Sequence, residues 1–144
     1  MTTKKQIPIG EGIFTWPSND PRIIGSKCTE CGSIIFPKAN SCNNPNCRGK
    51  GKAKVEEVTL SKRGKLHSYT IERYQPPWPW KGPESMLPYG FGWVEMPEGV
   101  AVLSVFTTAD PKELKIGRTM EFVVEKLYED KDGNDVMNYK FKPV

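Results

Sequence analysis

Four cysteines crowd into the first third of this 144-residue chain, at Cys28, Cys31, Cys42 and Cys47, spaced C-x2-C-x10-C-x4-C. Two short-spaced pairs separated by a loop suit a tetrahedral thiolate site, because each pair fills one tight turn and the intervening hairpin brings the turns together. Gly32 follows Cys31 directly and permits the left-handed backbone a metal knuckle commonly uses. Asn43, Asn44, Pro45 and Asn46 are all turn formers, so the wider second pair still reads as a loop. The competing reading is two disulfides, which suits a secreted chain. The start MTTKKQIPIG has no apolar core of the kind a signal peptide carries, so a cytoplasmic, metal-binding reading is preferred. Four thiolates accept zinc or iron, and the spacing leaves that choice open.

The elements that must position these sulfurs are short. Residues 26–52 form the expected metal module, with Ser33-Ile34-Ile35-Phe36-Pro37 as a hairpin arm whose one aromatic, Phe36, is expected to cover the metal. So small a module buries too little apolar area to fold alone, so the metal should supply much of its stability. Residues 1–25 read as an irregular extension, since Pro8, Gly10, Gly12, Pro17 and Pro21 forbid a long helix. Its Ile13, Phe14 and Trp16 must pack on the rest of the chain or on a partner.

Residues 53–144 read as β. Alternation puts His67, Tyr69 and Ile71 on one face of a strand over Gly64 to Arg73, and Phe91 with Trp93 on one face of Tyr89 to Glu95. Val100 to Phe106 is apolar on both faces, as a central strand would be, after a turn at Pro97-Glu98-Gly99. Asp110-Pro111 fits a capped helical turn reaching Leu114. Thr119 to Leu127 sets Met120, Phe122 and Val124 against Glu121 and Glu125. Asp132-Gly133 turns the chain into Val136 to Phe141, with Met137, Tyr139 and Phe141 pointing one way. Five strands of this length predict a small closed barrel of the OB type. The fold class is therefore mainly β, an N-terminal rubredoxin-like zinc ribbon followed by a five-stranded OB-fold barrel.

The barrel is interrupted at residues 74–90, a stretch with five prolines, two tryptophans and two tyrosines. A loop this long in a compact barrel usually binds something. Proline fixes the backbone in advance, so Trp78 and Trp80 can be presented at low entropic cost; Lys81 and Tyr89 lie beside them. The competing reading is a loop that closes one barrel end with its own rings.

Charge is uneven. Residues 1–72 hold 12 Lys/Arg against 6 Asp/Glu, and residues 73–144 hold 9 against 11, within a formal total of +4. The surplus gathers at Arg48, Lys50, Lys52 and Lys54, then Lys62, Arg63 and Lys65, a block suited to a phosphorylated cofactor, an acidic protein or solvent alone. Thirteen Gly and 13 Pro argue against a helical bundle, and no apolar run reaches membrane-spanning length. His67 is the one histidine and has no evident partner, so it reads as a strand residue rather than a base. With the thiols committed to metal no free thiol nucleophile remains, and neither a nucleophile elbow nor a glycine-rich phosphate loop is present. Independent catalysis is not expected.

The run Cys28-x-x-Cys31-Gly32-x-x-x-Phe36-Pro37, a second cysteine pair and a following barrel resemble the acyl-CoA-associated zinc-ribbon/OB-fold proteins. Gly64-Lys65-Leu66-His67-Ser68-Tyr69-Thr70 resembles that family's first barrel strand, and Lys115-Ile116-Gly117-Arg118-Thr119-Met120 its entry to a late strand. The second pair departs from the family's usual C-x-x-C. The resemblance implies a non-nucleophilic subunit bound to a thiolase-like catalytic subunit, with structural zinc and a coenzyme A thioester as the complex's substrate. It further implies that Lys50, Lys52, Lys62 and Arg63 contact CoA phosphates. Trp78, Trp80, Lys81 and Tyr89 would meet partner or substrate, for example an aromatic acyl-CoA such as benzoylsuccinyl-CoA. Two other classes compete: a single-stranded nucleic-acid binder, disfavoured by the net negative barrel half, and an iron redox protein.

Overall fold

The computed structural model describes residues 5–49, 54–74 and 87–144. Those residues form nine strands: β1 (Gln6–Pro8), β2 (Ile24–Cys28), β3 (Ile34–Ile35), β4 (Val55–Thr59), β5 (Arg63–Glu72), β6 (Tyr89–Glu95), β7 (Ala101–Val105), β8 (Thr119–Glu129) and β9 (Asp135–Pro143). No helix among them is long and apolar enough to cross a membrane.

Two sheets result. A three-stranded antiparallel sheet, β3-β2-β4, carries the cysteines, and a six-stranded sheet runs β1-β9-β8-β5-β6-β7. The larger sheet curls until β7 meets β9 through a parallel bridge between Phe106 and Phe141, with Thr107 N donating to Phe141 O at 3.0 Å. Strands β5 to β9 are thus the expected five-stranded barrel. The turns follow their chemistry. Asp110 caps one turn by accepting from Lys112 N at 2.9 Å. Asp130 accepts from both Asp132 N (3.0 Å) and Asn134 N (2.8 Å), while Gly133 takes a φ of 80°.

Residues 5–25 are more ordered than their glycines and prolines suggest. β1 pairs in parallel with β9, Ile7 opposite Val136, and Phe14 bridges Ile23. Trp16 Nε1 donates to Gln6 O at 2.9 Å. Phe14 is 3% exposed, its ring 6.2 Å from that of Phe122, so the extension packs back on the barrel. The apolar area of Phe14, Ile13 and Trp16 offsets the entropy of ordering an irregular segment. Val55–Thr59 belongs by pairing to the ribbon sheet, with Val55 opposite Cys28 and Thr59 opposite Ile24. The chain leaving the metal loop must run beside β2 before it can enter the barrel.

Two strand readings need correction, and a third gains its direction. His67 and Tyr69 do not share a face: the β5–β6 register shifts between Leu66 and Ser68, a bulge that leaves His67 exposed while Leu66 and Tyr69 both pack on the core. Strict alternation fails there because one residue is extra. Phe91 and Trp93 lie on one face as expected, and it is the outer one, opposite the buried Gly90, Gly92 and Val94; Tyr89, at the start of the strand, is buried as well. Finally, β7 closes the barrel rather than running through the middle of a sheet. Only Val102 and Ser104 are buried on it, and Leu103 is 43% exposed.

Phe14, Ile23 and Leu60 reach from the ribbon side into one core with Leu66, Val94, Met96, Val102, Phe106, Leu114, Met120, Phe122, Met137 and Phe141. Ribbon and barrel therefore share apolar burial.

Candidate metal centre

β2 delivers Cys28 at its C-terminal end, and the turn that follows carries Cys31. Gly32 has a φ of 76° and its N–H donates to Cys28 O at 3.0 Å, which folds the first pair into a knuckle. The second pair turns on Asn44, whose side-chain oxygen accepts from Asn46 N at 2.9 Å and whose carbonyl accepts from Cys47 N at 3.1 Å. Each knuckle also aims an N–H at its own leading sulfur, Glu30 N at Cys28 Sγ and Asn44 N at Cys42 Sγ, both at 3.4 Å. The longer C-x4-C loop thus reproduces the local geometry of the shorter pair.

The sulfurs converge. Cys28 and Cys47 Sγ lie 3.7 Å apart, Cys31 and Cys42 Sγ 3.6 Å apart, and all four lie within 4.8 Å of one another. A disulfide requires about 2.05 Å, so neither pair is bonded. Four sulfurs each about 2.3 Å from a central zinc stand about 3.8 Å apart, close to the observed spacing. Cys28, Cys42 and Cys47 are buried with Val55 against them; Cys31 alone is exposed. Its sulfur is held by polar groups, Ser33 Oγ at 3.1 Å and Asn44 Nδ2 at 3.8 Å. Nothing in the cysteine spacing names Ser33 or Asn44; their signal is that each is a small polar residue adjoining a knuckle.

Four thiols this close cannot all ionise without a cation. The Ser33 hydroxyl and backbone N–H draw the Cys31 thiol down to about 6. At Cys42 the Asn44 N–H favours the thiolate, but burial and the neighbouring sulfurs outweigh it and push the thiol up to about 12. Cys47 is raised in the same way, against the Gly49 N–H. A divalent cation resolves that conflict by taking the place of the protons. The donor set fits zinc, which as a closed four-thiolate centre supplies a cross-link and no open position for substrate.

Phe36 does not cover the metal. Its ring lies 6.2 Å from that of Tyr139, edge to face, at the joint between ribbon and barrel. The Ser26 hydroxyl, which donates to Ala39 O and accepts from Ala39 N, ties the end of that arm to β2, and Phe36 packs on the barrel core.

Of the other expected site residues, Lys50, Lys52, Trp78, Trp80 and Lys81 fall outside the described residues. Tyr89 sits in β6 rather than in the loop, 8% exposed, its ring 5.8 Å from Phe91. Lys62 pairs with Asp20 at 3.1 Å and Glu121 at 3.8 Å, and Arg63 with Glu121 at 3.6 Å. Lys142 also reaches Glu121, at 3.5 Å, so this carboxylate gathers three cations, which no motif announces. Arg63 and Lys65 line an open cleft of about 500 Å³ with Glu95, Met96, Pro97 and Thr119, within the size range of small-molecule sites.

Comparison with known proteins agrees with this architecture. Residues 18–53 match the ChsH2 rubredoxin-like zinc ribbon domain, and residues 57–125 match the ChsH2 C-terminal OB-fold domain. A DUF35 domain-containing scaffold protein of Methanothermobacter thermautotrophicus is 36% identical over 92% of this chain and 96% of its own length. One from Pyrococcus furiosus is 39% identical over 85% and 84%. The benzoylsuccinyl-CoA thiolase subunit BbsA of Thauera aromatica is 30% identical over 86% of this chain and 78% of its own. Among solved structures, the Ltp2-ChsH2(DUF35) aldolase shares the fold, with a TM-score of 0.59 at 22% identity over 85% of this chain and 84% of that one. The chain thus belongs to the ChsH2/DUF35 family of zinc-ribbon and OB-fold proteins.

Proposed function

We propose that this chain is a non-nucleophilic accessory subunit of a thiolase-type acyl-CoA enzyme complex in the cytoplasm, holding the catalytic subunit and helping to shape its CoA and acyl pocket. One observation carries the reading: all four thiols of the chain converge on a single tetrahedral point, which commits them to structure. The attacking thiol and the acid–base groups then come from the larger partner. Relatives that bear the names scaffold protein and thiolase subunit support this assignment.

Within such a complex the zinc ties the ribbon, and the shared core of Phe14, Ile23 and Leu60 fixes its position on the barrel. Arg63, with Lys62 beside it and Lys50 and Lys52 upstream, offers cations to CoA phosphates, where lysine acts as a point charge. Glu121 tempers Lys62 and Arg63, so their contribution is orienting rather than dominant. The tryptophan-bearing insertion, with Trp78, Trp80 and Lys81, leads into β6 at Tyr89 and suits an aromatic acyl group such as benzoylsuccinyl-CoA. The scaffold relatives are more similar (36% and 39% against 30%), which supports the holding role over any one substrate.

Purification from native extract followed by mass spectrometry tests the reading: a thiolase-type subunit should accompany the chain in fixed ratio. In that complex, Arg63→Ala should raise the KM for CoA several-fold with little change in kcat. A chain that purifies stoichiometrically with nucleic acid, or with no acyl-CoA enzyme, rules the assignment out.

A further inference from the structure

The outer face of β6 and β7 is out of keeping with a solvated barrel wall. Its register sets Trp93 directly opposite Leu103 and Phe91 opposite Val105. Trp93 and Leu103 are each 43% exposed, and Phe91 and Val105 are half-buried. The alternation of an antiparallel strand normally reserves such positions for polar residues. Here two inner positions of β6, Gly90 and Gly92, are closed to side chains. A Cβ on Gly92 would fall on the Ser68 carbonyl oxygen, and one on Gly90 would lie 2.6 Å from the Thr108 oxygen. The bulk of the strand stands outward, on a surface where water is a poor partner for it.

Charge decides what kind of partner fits. Along the outward positions of the two strands, Phe91, Trp93, Glu95, Ala101, Leu103 and Val105, the one charged residue is Glu95, at the far end. The remaining wall is different: Glu121, Glu125, Lys140 and Lys142 on β8 and β9 form surface ion pairs. Barrels of this type often expose their second and third strands to oligonucleotides, yet phosphate tracking needs cations along the groove. This face has none on its two strands and one carboxylate. Beside Leu103, where β7 and β9 meet through the Phe106–Phe141 bridge and the Tyr139 hydroxyl donates to Leu103 O at 3.0 Å, lies a cleft of about 230 Å³ bordered by Tyr89, Phe91, Val105 and Tyr139. That volume is below the roughly 300 Å³ at which small-molecule pockets begin and is on the order of a single large side chain. An apolar strip with one carboxylate at its far end and one such socket is the anatomy of a protein interface centre.

We infer that the β6–β7 outer face, centred on Trp93 and Leu103, docks an uncharged apolar surface of the thiolase-type catalytic subunit, with the socket beside Leu103 receiving one of its apolar side chains. This rests on the accessory-subunit reading above and adds the surface that serves it.

The test uses the complex formed by the full chain and the thiolase-type subunit that co-purifies with it. Trp93→Glu and Leu103→Glu should each weaken association at least about 30-fold, the loss of an interface anchor, while zinc content and thermal midpoint stay within those of the wild-type chain. Glu125→Lys, on β8 away from the strip, should leave association unchanged. A benzophenone amino acid at position 93 should cross-link to the catalytic subunit, a readout that survives if a glutamate variant misfolds. Unchanged association of both glutamate variants, with no cross-link, overturns the docking surface and leaves the accessory role standing. A wild-type chain that binds no thiolase-type subunit overturns both. Two further results assign the face elsewhere and overturn the inference: Trp93→Glu converts a dimer of this chain to monomer without affecting the catalytic subunit, or Trp93→Ala abolishes binding of a single-stranded oligonucleotide.

Discussion

Gly92 is where backbone geometry and the proposed docking face meet. Gly92 pairs with Tyr69 two residues beyond the β5 bulge, and a Cβ there would lie on the Ser68 carbonyl oxygen and 2.7 Å from Tyr69 Cα. Both are backbone atoms, so no rotamer change clears the contact; β5 and β6 must move apart. Overpacking inside a well-packed core costs about 1–3 kcal/mol, and a backbone collision belongs at or beyond the upper end, about 3 kcal/mol. Gly117 is the internal control: its φ is 87°, but nothing lies within 4 Å of its Cβ position. Gly117→Ala therefore meets only the left-handed penalty of about 1–2 kcal/mol. For a chain of this size each kcal/mol moves the midpoint by about 3 °C, which gives a loss of about 10 °C for Gly92→Ala and about 3–6 °C for Gly117→Ala. Thermal unfolding of the zinc-saturated proteins measures both. Because Trp93 is the next residue, Gly92→Ala should also weaken association with the catalytic subunit, whereas Gly117→Ala should not. A Gly92→Ala chain that melts within about 2 °C of wild type, or above Gly117→Ala, refutes the close approach of the two strands.

Cys28→Ser should lose stoichiometric zinc and disorder the ribbon while the barrel's amide signals persist; one zinc per chain retained after dialysis contradicts the ligand set. Phe36→Ala should cost about 2 kcal/mol, less than the roughly 3–5 of a fully buried phenylalanine, because Phe36 is half-buried at the Tyr139 joint. Zinc affinity should hardly change, and a variant that loses its zinc first would restore Phe36 to the metal. The Asn134 backbone N–H, followed by its side chain and the Asp132 N–H, holds the Asp130 carboxyl below its usual 3.8. A depressed folded value means the turn's stabilisation is complete above the unfolded pKa and is lost only as pH falls through the lowered one. Carbon-detected titration of Asp130 should give a midpoint under 3.8, and one at or above it removes the capped turn.

Much of this molecule is legible in residue types. The cysteine pairs, Gly32 and the asparagine-rich second loop announce the metal turn, and Asp132-Gly133 announces the last hairpin, because each rests on local backbone chemistry. What escapes is set by distant contacts. Alternation identifies that Phe91 and Trp93 share a face but carries no sign for inside or outside; Gly90 and Gly92 hold that sign, through collisions with Thr108 and Ser68 that no local pattern contains. The bulge at His67 hides for the same reason, since it is a property of the β5–β6 pair. Phe36 lies between two plausible cores, and the choice falls to Tyr139, more than a hundred positions away. Residues 1–25 look irregular by composition, yet Phe14 and Trp16 gain enough apolar contact to order residues 5–25.

The most direct test compares thioester turnover by the isolated, zinc-loaded chain with turnover by the same chain joined to its co-purifying thiolase-type subunit. With every thiol held in the Cys28–Cys31–Cys42–Cys47 centre, the isolated chain should cleave acetoacetyl-CoA no faster than buffer, and activity should appear only in the complex. Turnover by the isolated chain at a rate comparable to the complex contradicts the account.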